Sequence, residues 1–155
     1  MSTLERALGL LGKSERDDGL RRFLDEINVK QPLKRPARGD DQINVVLDDE
    51  PLELCFVEAD SLPSHSETLM EGELVLNAVF VHRHAGATAM DPVAGLPLGL
   101  SMDLSRAEMR KRFGQPVWSS PVLNNDRWVF DDMRVLACFT DDESSVRQLA
   151  FSLIE

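Results

Sequence analysis

Apolar residues recur at helical spacing from the start of the chain, at Leu4, Ala7, Leu8 and Leu11, which predicts a short amphipathic helix. Ser2 and Glu5 are spaced as a capping box before it, and Gly12 can end it. Ser14 is placed to cap a second helix, in which Leu20, Phe23, Leu24 and Ile27 share one face. Pro32 and Pro36, among Lys30, Lys34, Arg35 and Arg38, then mark a basic loop. Beyond it the period falls to two. Ile43 to Leu47 reads as a strand, Asp48-Asp49-Glu50-Pro51 as its turn, and Leu52, Leu54 and Phe56 alternate with Glu53, Cys55 and Val57. Residues 59 to 72 read as a long connection, and Glu73 to His82 as a third strand.

The second half opens on Gly95-Leu96-Pro97-Leu98-Gly99-Leu100-Ser101-Met102. Ser105 and Glu108 form a second capping box, with Leu104 and Met109 at the staple positions. Met109 and Phe113 lie one turn apart, Gly114 ends the helix and Pro116 prevents its continuation. Three strands follow at residues 127–131, 134–140 and 146–154. Their alternating apolar positions are Trp128 and Phe130; Val135, Ala137 and Phe139; and Leu149, Phe151 and Leu153.

The two halves resemble one another. Val46-Leu47-Asp48-Asp49 and the following Leu52-x-Leu54-Cys55-Phe56 match Val129-Phe130-Asp131-Asp132 and Val135-x-Ala137-Cys138-Phe139 at a constant offset of 83 residues. A fixed period of this kind predicts a tandem duplication. The expected fold is α+β: two tandem helix-helix-three-strand repeats forming a curved antiparallel sheet with helices on one face. The expected boundaries are a first repeat at 1–82, a linker at 83–94 and a second repeat at 95–155.

Charge narrows the choice of partner. The chain carries a formal net charge of −10. Residues 40–82 hold eleven Asp or Glu and no Lys or Arg, whereas residues 1–39 hold nine basic residues against six acidic. An acidic surface repels nucleic acid and steers basic partners inward. No apolar run approaches the length of a bilayer span, and the first residues lack the pattern of a signal peptide, so a cytoplasmic protein is expected, with neither nucleic acid nor membrane as partner. Cys55 and Cys138, one per proposed copy, read as buried strand thiols.

Gly99-Leu100-Ser101-Met102, Ser105-Arg106-Ala107-Glu108-Met109 and Phe113-Gly114-Gln115-Pro116 form a Gly-containing turn leading to a helix that ends in Gly-x-Pro. The segment resembles the helix-helix-three-strand module of β-lactamase-inhibitor-protein-like and SmpA-type lipoprotein domains. The Leu96-Pro97-Leu98-Gly99-Leu100 opening is also similar to immunity proteins of pyocins and other bacterial polymorphic toxins. The resemblance implies protein binding: a concave sheet backed by helices, whose open face grips another protein.

Alternation puts Glu53, Cys55, Arg127, Gln148 and Ser152 on the face away from the core. Asp48, Asp49, Glu50, Asp131, Asp132, Asp141, Asp142 and Glu143 fall at strand turns and are expected to rim it. Trp118, beside Val117 and Ser119-Ser120-Pro121, is the stronger aromatic interface candidate of the two tryptophans. The expected partner-binding set is therefore Asp48, Asp49, Glu50, Glu53, Trp118, Arg127, Asp131, Asp132, Asp141, Asp142, Glu143 and Gln148.

Chemical constellations are weak by comparison. His82 and His84 with His65 fall short of a convincing metal set. Ser64-His65-Ser66-Glu67 has triad residue types packed into one short stretch, where triads draw on distant segments. The Asp pairs suit turns better than acid–base catalysis. No catalytic residue, metal or cofactor is expected. The leading expectation is an immunity protein that occludes the active site of a cognate toxin, a secreted effector such as a nuclease. The alternative is an acidic secretion chaperone or adaptor for an effector.

Overall fold

A computed structural model of the chain describes residues 3–31, 33–47, 51–59, 73–82, 96–131 and 133–153. Among these residues three short α-helices, α1 (Thr3–Leu8), α2 (Asp18–Glu26) and α3 (Arg106–Phe113), accompany seven strands. The strands are β1 (Gln42–Val46), β2 (Leu52–Glu58), β3 (Leu74–His82), β4 (Trp118–Ser120), β5 (Asn125–Phe130), β6 (Met133–Phe139) and β7 (Val146–Leu153). They form one sheet in the order β1-β2-β3-β7-β6-β5-β4, antiparallel at every pairing.

This architecture mixes helices and sheet but overturns the expected pair of helix-helix-three-strand repeats. Among its described residues the second half has one α-helix. Ahead of it stands a 3-10 turn, Pro97–Gly99, with Leu98 at a φ of 63°. The second half also has a fourth strand, β4, in a stretch the sequence assigned to a loop. The matched hairpins differ too. The 83-residue offset carries the Val46–Glu53 pair onto Val129 and Leu136, yet Val129 faces Arg134 and Leu136 faces Arg127. The second hairpin is tighter by two residues. An even shift keeps each side chain on its face, so the alternation looked the same in both halves although the pairing is not.

The first helices also begin and end differently from expectation. α1 stops at Leu8, and the chain runs through Gly12 at a φ of 86°. Beyond it, Lys13–Glu15 lie along β3: Gly12 N donates to Leu76 O at 2.8 Å, Leu76 N to Lys13 O at 2.9 Å, and Glu15 N to Leu74 O at 2.8 Å. Ser14, bridged to Val75, is therefore not the cap of α2. Asp17 fills that role, its carboxylate accepting from Leu20 N at 3.0 Å. At α3 the capping box forms as its spacing predicts, with both reciprocal bonds at 3.1 Å.

One face of the sheet builds the core. Leu52, Leu54 and Phe56 of β2, Leu76, Val79 and Val81 of β3, Leu149 and Phe151 of β7 and Val135, Ala137 and Phe139 of β6 belong to one buried cluster. Leu4, Ala7, Leu20, Phe23, Leu24 and Met109 from the three helices join it. Asn77 is the extra residue where the β2–β3 register shifts, and the bulge keeps Leu76 and Val79 on the same side.

Candidate protein-binding face

Residues directly opposite across a sheet point to the same side, so the registers define the second face row by row. The middle row crosses all seven strands: Val46, Glu53, Phe80, Ala150, Leu136, Arg127 and Trp118. A flanking row runs Asn44, Cys55, Ala78, Ser152, Arg134 and Val129, and the other runs His82, Gln148, Cys138, Asn125 and Ser120. The buried residues of all three helices lie in or against the opposite side of the sheet, so none of these helices packs here.

The centre of this face is apolar. Cys55, Val57 and Ala78 form a small cluster of their own, separate from the core, with Phe80 packed against it. Phe80, Ala150 and Leu136, in direct register, are half-buried. Larger apolar side chains stand out at the margins, with Val46 67%, Val129 43% and Trp118 42% exposed. Burial pushes the thiols of Cys55 and Cys138 upward; Glu53 and Asp41 add to the shift at Cys55, and Arg147 opposes it at Cys138. Both cysteines are free and held in the unreactive thiol form.

Polar contacts set the two flanks. On β2, Glu53 accepts from the Asn44 amide at 2.5 Å and bonds the His82 ring at 3.1 Å, and the His82 ring stacks on Phe80 with centroids 6.4 Å apart. On the far flank the Arg127 guanidinium lies 5.2 Å from the Trp118 ring centroid, within cation–π range.

Trp118 is held there by a charged cluster on the reverse side. Ser119, its neighbour in β4, points the other way, and its hydroxyl donates to Asp126 at 2.8 Å. Asp126 is fully buried and also accepts from Arg106 at 2.7 and 3.1 Å and from Arg110 at 2.9 and 3.0 Å. Burial alone would raise the Asp126 pKa; the bonds from Arg110, Arg106 and Ser119 outweigh it and hold the carboxyl far below the usual carboxylate range. The same bonds raise both arginines. Arg106 and Arg110 lie one turn apart on α3, so the cluster pins the helix to β4 and β5. Arg106, Arg110 and Asp126 were missed in the sequence as a cluster. The available signal was Asp126 at an inward position, in phase with Trp128.

The expected site residues are brought together only in part. Glu53, Gln148, Arg127 and Trp118 share the open face. The acidic rim divides. Asp141, Asp142 and Glu143 follow β6 at the end of the sheet where His82 pairs with Gln148, whereas Asp131 follows β5 at the opposite end. The Asp142 carboxylate is bound within its own turn by Ser144 and Thr140, which lower its pKa to about 2. Glu143 accepts from Arg106 at 3.2 Å. Asp48, Asp49, Glu50 and Asp132 lie outside the described residues, as do His65, His84 and the Ser64–Glu67 stretch. The charged residues in the three rows are Glu53, Arg127 and Arg134, so the described face is mixed in charge where acidic strands were expected. Among the described residues no group of His, Cys, Asp or Glu is arranged to hold a metal, and no helix is long and apolar enough to cross a membrane.

No family model, curated protein or solved structure matches the chain.

Proposed function

We propose that this chain is a binding protein that works through its open sheet face, and that its partner is a bacterial toxin which it neutralises in the cytoplasm. The observation that carries the reading is the middle row: an apolar centre of Phe80, Ala150 and Leu136, with Trp118 on Arg127 at one flank and Glu53 on His82 at the other. Apolar centre and polar rim is the anatomy of a protein interface, and tryptophan and arginine dominate measured hot spots. The similarity of the Leu96–Leu100 opening to toxin-immunity proteins supplies the class of partner. Occlusion is the mechanism: the sheet covers the toxin's active site or substrate groove, and no residue of this chain reacts.

The test is co-purification with the toxin encoded beside this chain, followed by calorimetric titration. Trp118→Ala and Leu136→Asp each weaken the complex at least tenfold while the protein stays folded. A toxin that keeps full activity in excess protein overturns the reading. The apolar centre also suits a secretion chaperone, the second reading. A stable dimer that holds an effector by its N-terminal segment would favour it, and a complex with a C-terminal toxin domain would favour immunity.

A further inference from the structure

The sheet ends on one side at β1, and the structure shows what that edge can take. Leu47 N donates to Leu52 O and Glu58 N to Asp41 O, both at 2.9 Å. In an antiparallel pair this makes the odd-numbered residues of β1 bond inward to β2 and turns the N–H and C=O groups of Gln42, Asn44 and Val46 outward. Those outward groups meet no hydrogen-bond partner among the described residues. Beside them lies an open groove of about 540 Å³ between β1 and the loop that precedes it. Leu33, Ile43 and Val45 are among its apolar lining, and its charged lining is three basic residues, Lys30, Lys34 and Arg35, against one acid, Asp40.

The basic wall distinguishes this edge. The chain as a whole carries −10, yet Lys30 and Lys34 enter no ion pair among the described residues, and Arg35 reaches Glu15. A neighbouring groove shares Leu33 and Arg35 and adds Arg16 and Arg21 together with Glu15 and Asp25. Self-pairing of two chains through β1 would bring two copies of this basic loop together, which opposes a homodimer at this edge.

We propose that the β1 edge is a strand-addition site for an extended acidic segment of a partner protein. The segment pairs its backbone with Gln42, Asn44 and Val46, seats alternate apolar side chains on Leu33, Ile43 and Val45, and sets its carboxylates against Lys30 and Lys34. The edge shares Asn44 and Val46 with the open face, but it is their backbone groups in the plane of the sheet that it offers, so the inference does not rest on the toxin reading.

The probe is a short fluorescent peptide alternating glutamate with valine, titrated against the full chain by anisotropy. It binds, and added salt weakens it. A lysine–valine peptide binds roughly tenfold more weakly, as does the glutamate peptide to the Lys30→Glu/Lys34→Glu variant, the scale of two exposed ion pairs lost. Methylating alternate amides of the peptide abolishes binding and tests the backbone pairing from the ligand side. Asn44→Pro, checked for folding by circular dichroism, tests it from the protein side. Equal binding of the acidic and basic peptides, no binding of either, or indifference to amide methylation overturns the proposal. So does a labelled oligonucleotide that outcompetes the peptide, or self-association that Asn44→Pro dissolves.

Discussion

Asp126 shows how one residue can fix a local structure. Its carboxylate is the shared acceptor for Arg106, Arg110 and Ser119, and removing it leaves the buried Arg106 guanidinium without its main counter-charge. Asp126→Asn therefore costs about 3 kcal/mol, the scale for breaking a buried pair, seen as a lower urea midpoint at unchanged slope. The pH dependence has a definite sign. The folded pKa of Asp126 lies below its unfolded value near ~3.9, so its contribution is complete above that pH and is lost as pH falls toward the folded pKa. Acid titration of stability should steepen below about pH 4 in the natural chain and flatten there in Asp126→Asn. Equal acid slopes in the two proteins would remove Asp126 from the account. The sequence held the chemistry of this cluster but not its assembly: Arg106 and Asp126 are 20 residues apart, and nothing in either segment's own pattern names the other. Trp118 was legible as an interface candidate from its loop-like flanks, but its rigid placement comes from Ser119 pointing the other way.

Helix and strand boundaries were set by competition between local signals and neighbouring strands. The capping box of α3 is written in four consecutive residues, and it forms. Ser105→Ala should cost about 1 kcal/mol, read by thermal denaturation. Ser14 is also a residue type that caps helices, yet it fails as a cap, because the backbone around it bonds to β3 where β7 no longer covers that strand. Gly12 makes the turn into this addition possible. Its φ is 86°, and a Cβ there would stand 2.9 Å from Leu153 Cδ1. Gly12→Ala should destabilise by about 1–2 kcal/mol, because alanine strains at positive φ. Hydrogen exchange at the Glu15 and Leu76 amides, which bond across this addition, then reports where the loss falls. Unchanged stability in Gly12→Ala would mean that the Lys13–Glu15 segment contributes little. The short β4 lay hidden for the same kind of reason: three residues cannot display a period, and Trp118, Ser119 and Ser120 gain their strand geometry from β5.

At the scale of the molecule, β3 and β7 join what the sequence divides. Val79 faces Phe151 and Val81 faces Leu149 in the centre of one sheet, and the core on that side draws on all three helices. Unfolding is therefore expected as a single cooperative transition. Both tryptophans lie in the second half, so their fluorescence follows that half alone, whereas far-ultraviolet circular dichroism follows both. Coincident denaturant curves are the expected result, and two separated transitions would mean that the halves fold independently. Phe151→Ala, at the seam, should lower both signals together by about 3–5 kcal/mol.

The sequence by itself determined what short-range physics controls. It set which positions are apolar, hence the faces of β2, β3, β6 and β7 and of α2, and it wrote the cap of α3. It also placed Glu53, Arg127 and Gln148 on the face away from the core, because side-chain alternation survives any even shift of register. Only the tertiary structure decided how those pieces pair. Hairpins that match in sequence differ in register, and the turn acids Asp131 and Asp142 stand at opposite ends of the sheet. Strand pairing is chosen by burying the whole apolar side at once, and that energy is not contained in any one segment.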